Sequence, residues 1–279
     1  MCNQCNDSNQ EHGAAVHGRR EFLMAGTALV TAPLWTGVAT GAPAAQTGGP
    51  VGTGPFSARA YGASSASSPL GPLQIERRAV SPNDVLLDAL YCGICHSDIH
   101  IVRSEWRPTR YPCVPGHEII GRAQAVGSAV TQCKVGDIGG VGCMADSCGT
   151  CANRLADRAQ NCLNRTTFTY DSTDRVTGGH TFGGYADQAV VSERFVIRIP
   201  PGADLAATAS LLCAGITTFS PMQHWKLEAG QRVGVIGLGG LGHMAVKLAV
   251  ARRADVTVFT TSPSKIADAR RLGAREAVL

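Results

Sequence analysis

The 279-residue chain carries 25 basic against 21 acidic residues, a net charge of +4 without a dense basic stripe, which argues against nucleic acid as its main partner. With 44% hydrophobic and only 16% charged residues it can bury a sizeable core, and global disorder is excluded. Thirty-three glycines and 5% aromatics point to a turn-rich β or α/β chain and against a helical bundle.

The first segment differs from all that follows. No charged residue occurs from Phe22 to Ala58, and an apolar run from Phe22 to Val30 continues, diluted by Thr, Gly and Pro, towards Ala45. It is too short and too broken to span a bilayer, so no stable membrane insertion is expected. Arg19-Arg20-Glu21-Phe22-Leu23 precedes it and Ala42-Pro43-Ala44-Ala45 closes it. Twin arginines, a mild apolar region and a small-residue stretch in that order resemble a twin-arginine export signal over residues 1–45. The twin-arginine machinery as partner and a periplasmic location follow as expectations, with the cytoplasm as the alternative. Cys2 and Cys5 would leave with the signal. Residues 46–57, rich in Gly, Pro and Thr, read as a linker.

From Ala58 the pattern changes to short apolar runs separated by Gly, Pro and Asn. Val85–Leu90, Ile119-Ile120 and Ala189–Val191 read as strands, and nothing from 58 to 200 shows a long 3.6-residue period. Nine of the eleven cysteines fall between Cys92 and Cys213, which points to metal or redox chemistry. Cys92-Gly-Ile-Cys95-His96-Ser97-Asp98-Ile-His100 is followed by Gly116-His117-Glu118 and, far downstream, by Leu211-Leu212-Cys213-Ala214-Gly215. One His and two Cys from distant segments, beside a Glu, suit a zinc site with an open fourth position. Spacing alone does not choose Cys95 over Cys92.

Gln231–Ile236 is a short β-like run leading into Gly237-Leu-Gly239-Gly240-Leu241-Gly242. A helical pattern follows, with Met244, Ala245, Leu248 and Ala249 on one face, and then a second strand at Asp255–Phe259. Strand, glycine-rich turn, helix and strand in this order suit a dinucleotide whose pyrophosphate rests on the helix N-terminus. An NAD site places Asp or Glu at the end of the second strand. This chain has Thr260-Thr261-Ser262-Pro-Ser264-Lys265 there, and hydroxyls plus a lysine suit a 2′-phosphate, hence NADP(H).

Gly116-His117-Glu118-Ile-Ile-Gly121, with Gly127 and Val130, matches the zinc alcohol dehydrogenase pattern G-H-E-x-x-G-x5-G-x2-V. With the Cys92–Asp98 segment, Val135-Gly136-Asp137 and Leu212–Thr218, it resembles the medium-chain dehydrogenase/reductase superfamily, and within it the cinnamyl alcohol dehydrogenase-like, NADP-dependent aldehyde reductases. The resemblance runs from about Ala58 to the last residue. It implies a mixed α/β fold: a GroES-like β-barrel catalytic domain over 58–205 and a Rossmann-type dinucleotide-binding domain over 206–279. Cys95, His117 and Cys213 would hold the catalytic zinc, with Glu118 beside it. Asp98 would orient a zinc-bound histidine. Ser97 and His100 would relay the alcohol proton, and His96 would contact the pyrophosphate. Cys92 has no role in this scheme and reads as core packing.

The same resemblance implies a lobe where four cysteines, spaced C-x2-C-x2-C-x7-C, hold a structural zinc. Cys148, Cys151 and Cys162 occupy the first, second and fourth places, but the third is Arg154, which cannot ligate zinc. Three readings stay open: a weaker zinc site completed by water, Asp146 or Asp157; a disulfide; and a metal-free loop.

The chain ends at Ala277-Val278-Leu279, where a third Rossmann strand would form, so roughly eighty to ninety residues of the full fold are expected to be missing. Arg253 stands near the family's usual helix-ending glycine. The implied activity is the interconversion of primary alcohols and aldehydes with NADP(H), mainly aldehyde reduction, and the implied partners are a small aldehyde or alcohol and a second copy in a homodimer. A catalytically silent zinc-binding protein is the alternative.

Overall fold

The computed structural model describes residues 54–279. The expected export signal, residues 1–45, and the linker up to residue 53 lie outside the described residues. The linker is shorter at its far end than the sequence suggests, because Phe56 and Ser57 already belong to a strand.

That strand, β1 (Phe56–Gly62), pairs antiparallel with β2 (Gly71–Arg77) and buries Ala58 and Ala60 on alternate positions. β3 (Asp84–Cys92) is followed by a short helix, α1 (His96–Val102), and by β4 (Ile119–Val126) and β5 (Ile138–Val141). A small lobe comes next, built from β6 (Met144–Asp146), the one-turn helix α2 (Ala152–Leu155) and β7 (Thr167–Phe168). β8 (Gln188–Ser192) and β9 (Ile197–Arg198) complete a five-stranded antiparallel sheet in the order β8-β3-β4-β5-β9. Its core is aliphatic, with Val85, Leu87, Ile119, Val141 and Val191 almost wholly buried. The three runs expected as strands fall in β3, β4 and β8.

Pairing in this sheet closes the sequence gap between the two ligand segments. Cys92, the last residue of β3, stands opposite Ile119, the first of β4. The turn carrying Cys95 and the pair His117-Glu118 therefore sit at the same end of one antiparallel ladder. A register shift between Ala89 and Tyr91 re-aims the end of β3 just before that turn.

Beyond β9 the chain becomes helical. α3 (Leu205–Ala209) is capped by Asp204, whose carboxylate accepts from the Ala207 N–H at 3.1 Å, and α4 (Ala214–His224) follows directly on Cys213. Then β10 (Arg232–Ile236), α5 (Gly240–Ala251), β11 (Asp255–Phe259), α6 (Ser264–Arg271) and β12 (Glu276–Val278) form a parallel sheet in the order β10-β11-β12. The buried stripe of α5 runs through Gly242, Val246, Leu248 and Ala249. It shares two residues with the expected face, while Met244 is only half-buried.

The two lobes share a seam. Ile120 of β4, Leu212 and Leu248 of α5 lie in one apolar cluster, so the glycine-rich turn is tied by packing to the end of the five-stranded sheet that carries His117. Among the described residues no single helix is long and apolar enough to cross a membrane. The bent pair Leu205–Leu212 and Ala214–His224 passes that test by length and composition only.

Candidate metal centre and nucleotide cradle

One ligand atom from each of Cys95, His117, Glu118 and Cys213 falls within 4.8 Å of the other three. The two sulfurs are 3.9 Å apart, a gap that two Zn–S bonds of about 2.3 Å span at a near-tetrahedral angle. His117, Glu118 and Cys213 are buried and Cys95 is half-buried. Two thiols, an imidazole and a carboxylate form a donor set that fits zinc.

Local structure explains why these residues meet. Cys95 is the N-cap of α1, in extended conformation, and Asp98 at the third helical position accepts from the Cys95 N–H at 3.1 Å. Ile101 and Val102, on the buried face of α1, dock into a cluster with Ala63, Cys113 and Tyr170. Gly116 has φ +104°, and a Cβ there would stand 2.8 Å from the Tyr185 backbone nitrogen and 2.9 Å from the Cys92 sulfur. Glycine is thus required immediately before His117 by conformation and by space. Leu212 presses on β5 and the turn beyond it, where a Cβ on Gly142 would lie 2.7 Å from the Leu212 carbonyl oxygen. That close approach carries Cys213 to the cluster.

Asp98 organises the site. Its Oδ1 accepts from the Gly116 N–H and from His117 Nδ1, both at 3.0 Å, and its Oδ2 accepts from Cys95 N–H and from the Tyr185 hydroxyl at 3.2 Å. With Nδ1 engaged, His117 keeps Nε2 for the cluster. Burial opposes ionisation of Asp98, but the contacts with His117 outweigh it and hold the carboxyl below its usual range. Burial also disfavours a charged His117, yet its bonds to Asp98 and the two thiols push the imidazole up to about 12. Its hydrogen bond to Cys213, then burial, raise the Cys95 thiol to about 11. Burial first and Cys95 second lift Glu118 to about 7. The raised Cys95 thiol and Glu118 carboxyl lie in the same cluster, as expected where negative ligand atoms are brought together for a positive ion.

Cys92 stands outside this set. Its sulfur contacts the Gly93 carbonyl at 3.7 Å, it packs against the barrel core, and burial pushes its thiol up to about 12. The structure thereby makes the choice that spacing left open. Gly93 matters instead, since a Cβ there would come within 1.9 Å of Glu118 Oε2.

Ser97 lies beside the cluster, with its hydroxyl 3.6 Å from the Cys95 sulfur. His100 is a helical turn further on. Its Nδ1 pairs with Glu105, and its ring stacks on Trp106 at 4.6 Å and meets that of His96 at 4.8 Å. No direct hydrogen bond joins Ser97 to His100. His96 itself is exposed.

In the nucleotide lobe, Gly237 has φ +85° and Gly239 is the N-cap of α5. A Cβ on Gly242 would lie 2.1 Å from the Gly237 carbonyl oxygen, so glycine is required there for the turn to close on the helix. Around Gly237, Gly239 and Gly240 a Cβ would meet nothing within 4 Å. Open space above the free N–H groups of a helix N-terminus fits a pyrophosphate. Leu241 is partly exposed at the same end. At the end of β11, Thr260 is buried and its hydroxyl accepts from the Ser262 N–H at 3.2 Å. Thr261 is exposed, and Lys265 sits in the first turn of α6.

The lobe after β6 brings Cys148, Cys151 and Cys162 together, with sulfurs within 4.8 Å of one another. All three are free thiols, so the disulfide reading does not describe this state. Backbone N–H groups of Thr150 and Cys151 aimed at the Cys148 sulfur lower that thiol to about 5. The two carboxylates expected as substitute ligands do not join them. Asp146 is bonded to the Ser147 N–H and to Arg194, and Asp157 is exposed and faces Arg154 at 3.8 Å. A closed four-coordinate zinc site therefore does not fit this lobe.

Tyr185, Gly93, Glu105 and Trp106 were not legible as site residues. Tyr185 lies 87 positions from Asp98, and no local pattern announces that contact.

Residues 81–201 match the family model of the alcohol dehydrogenase GroES-like domain. The chain is similar to aldehyde reductase YahK of Escherichia coli (strain K12), 54% identical over 221 residues that make up 79% of this chain and 63% of that relative. It is also 54% identical to NADP-dependent alcohol dehydrogenase C 1 of Mycolicibacterium smegmatis, over 77% of this chain and 62% of the relative. Among solved structures, CAD from Helicobacter pylori, complexed with NADP(H), superposes with a TM-score of 0.78 at 43% identity, covering 80% of this chain and 65% of that one. The chain thus spans less than two thirds of the length of the curated relatives it matches. The fold is mixed α/β with an alcohol dehydrogenase GroES-like domain, as the sequence predicts.

Proposed function

Taking the GroES-like domain at residues 81–201 as premise, we propose that this protein belongs to an oxidoreductase that interconverts primary alcohols and aldehydes with NADP(H), mainly as an aldehyde reductase. The observation that carries this reading is the convergence of Cys95, His117, Glu118 and Cys213 around Asp98. Cys95, His117 and Cys213 would hold a zinc ion, with Glu118 alongside. When bound, zinc supplies Lewis-acid polarisation of the carbonyl oxygen and NADPH supplies the hydride.

The chain's own residues do the rest. Asp98 fixes the His117 tautomer and the helix bearing Cys95 at once, so the ligand geometry needs no reorganisation. The Ser97 hydroxyl, next to the Cys95 sulfur, is placed to give a proton to the reduced oxygen. His100, held by Glu105 and Trp106, connects that hydroxyl to solvent through an intervening hydroxyl or water. The Gly237–Gly242 turn and the α5 N-terminus would hold the pyrophosphate, with His96 as a further contact. Thr260, Thr261, Ser262 and Lys265 would hold the 2′-phosphate, a reading supported by the absence of a carboxylate at the end of β11. Export to the periplasm is proposed from the order of Arg19-Arg20, the apolar run from Phe22 and the small residues Ala42-Pro43-Ala44-Ala45.

The test is NADPH consumption by zinc-loaded protein with benzaldehyde or cinnamaldehyde. Turnover that disappears in Cys95→Ser is expected. Zinc uptake without any turnover would replace this reading by the silent zinc-binding protein.

A further inference from the structure

We propose that the lobe of Cys148, Cys151 and Cys162 is a three-coordinate thiolate site for a soft monovalent cation of the Cu(I) class, rather than a four-coordinate zinc site. The sulfurs come from three separate local structures. Cys148 precedes a turn at Gly149 with φ +80°, Cys151 is the N-cap of α2, and Cys162 ends a short 3-10 segment. Cys151 and Cys162 sulfurs are 3.9 Å apart, and the backbone N–H groups of Cys151 and Cys148 donate to the sulfurs of Cys148 and Cys162 at 3.4 and 3.5 Å. These bonds fix the sulfur positions before any ion arrives.

Coordination number separates the candidates. Among the described residues the cluster contains three donors and no fourth His, Cys, Asp or Glu. Structural zinc takes four protein ligands, whereas soft cations are satisfied by sulfur alone. Charge points the same way. Three thiolates leave two negative charges around a monovalent ion, one more than around a divalent ion. The surroundings supply the compensation. Arg175 Nη2 stands 3.9 Å from the Cys162 sulfur, and the Arg194 guanidinium lies over Gly149, where a Cβ would fall 2.2 Å from its Nη1. Arg154, in place of the fourth sulfur, puts a guanidinium on α2, where it faces Asp157 at 3.8 Å. Arg194 is shared with Asp146 at 3.2 Å, so Arg175 is the guanidinium that faces a cluster sulfur directly. Binding releases the thiol protons and requires no oxidant.

The experiment uses the whole protein, reduced and anaerobic, with zinc first loaded at Cys95, His117 and Cys213. Cu(I) is then added against a Cu(I)-selective chelator, and the copper X-ray absorption edge is recorded. One copper per chain with three sulfur neighbours is expected, with affinity falling at least about tenfold in Cys151→Ser. Arg154→Cys, which supplies the fourth sulfur, should shift the lobe towards a second zinc. Copper bound by two sulfurs, copper that displaces zinc from Cys95, or a wild-type lobe that takes zinc as tightly as Arg154→Cys would each overturn the proposal. If Cys151→Ser does not fold, the sulfur count in the unsubstituted protein decides.

Discussion

Asp98→Asn is isosteric, yet it should disable the metal centre. The carboxylate is 3% exposed and accepts four hydrogen bonds, two on each oxygen. An amide keeps only one acceptor oxygen. Turned one way, its NH₂ faces the Cys95 N–H and the Tyr185 hydroxyl; turned the other way, it faces the Gly116 N–H and His117 Nδ1. One orientation sets the NH₂ against the buried Gly116 N–H and His117 Nδ1, and the other against the part-buried Cys95 N–H, at a cost of about 1–3 kcal/mol. The loss of negative charge next to His117 comes in addition, and zinc affinity should fall about 10–100-fold, or about 1.4–2.7 kcal/mol. Urea unfolding of the metal-free protein reads the first effect, and zinc titration against a competing chelator reads the second. A variant whose zinc affinity stays within about twofold of wild type would refute the claim that Asp98 orients the ligand.

Three further substitutions separate neighbouring roles. Cys92→Ala should retain zinc and cost about 1 kcal/mol of packing, while Cys95→Ser should lose the metal; metal analysis beside urea unfolding distinguishes the two. Arg253 takes φ +61° just past α5, so Arg253→Gly should raise stability by about 0.5–1 kcal/mol, the relieved strain less the added chain entropy, measurable as a shift in urea midpoint. Lys265→Ala should weaken NADPH binding more than NADH binding in a fluorescence titration, and equal losses would refute the 2′-phosphate assignment.

The fold and the ligand set were legible for different reasons. β3, β4 and β8 announce themselves because the aliphatic core of the sheet demands short apolar runs broken by turns. The nucleotide turn is legible because Gly237 and Gly242 are required by backbone conformation and contact, and such requirements leave few alternatives in sequence. His117 and Cys95 were legible through their motifs and the family resemblance, but the physical reason for Cys95 over Cys92 does not lie in spacing. It lies in the Ala89–Tyr91 register shift and the helix cap after Cys95, which turn one sulfur into the core and the other towards Cys213. Tyr185 on Asp98 and Glu105 and Trp106 on His100 are tertiary contacts without local periodicity. Met244 and Ala245 are only half-buried, because Gly242 and Val246 share the buried face of α5 with Leu248 and Ala249. Around Arg154, the sequence reveals the lost ligand, whereas only the coordinates show that Asp146 and Asp157 are engaged elsewhere.

The central claim is that His117 and two distant cysteines hold one zinc ion. The most direct measurement is the zinc X-ray absorption edge of the purified protein carrying a single equivalent of zinc. Scattering from one imidazole together with two sulfurs is expected, because His117 is the imidazole in the cluster. Zinc surrounded by sulfur alone, or an imidazole signature that survives in His117→Ala, would contradict it.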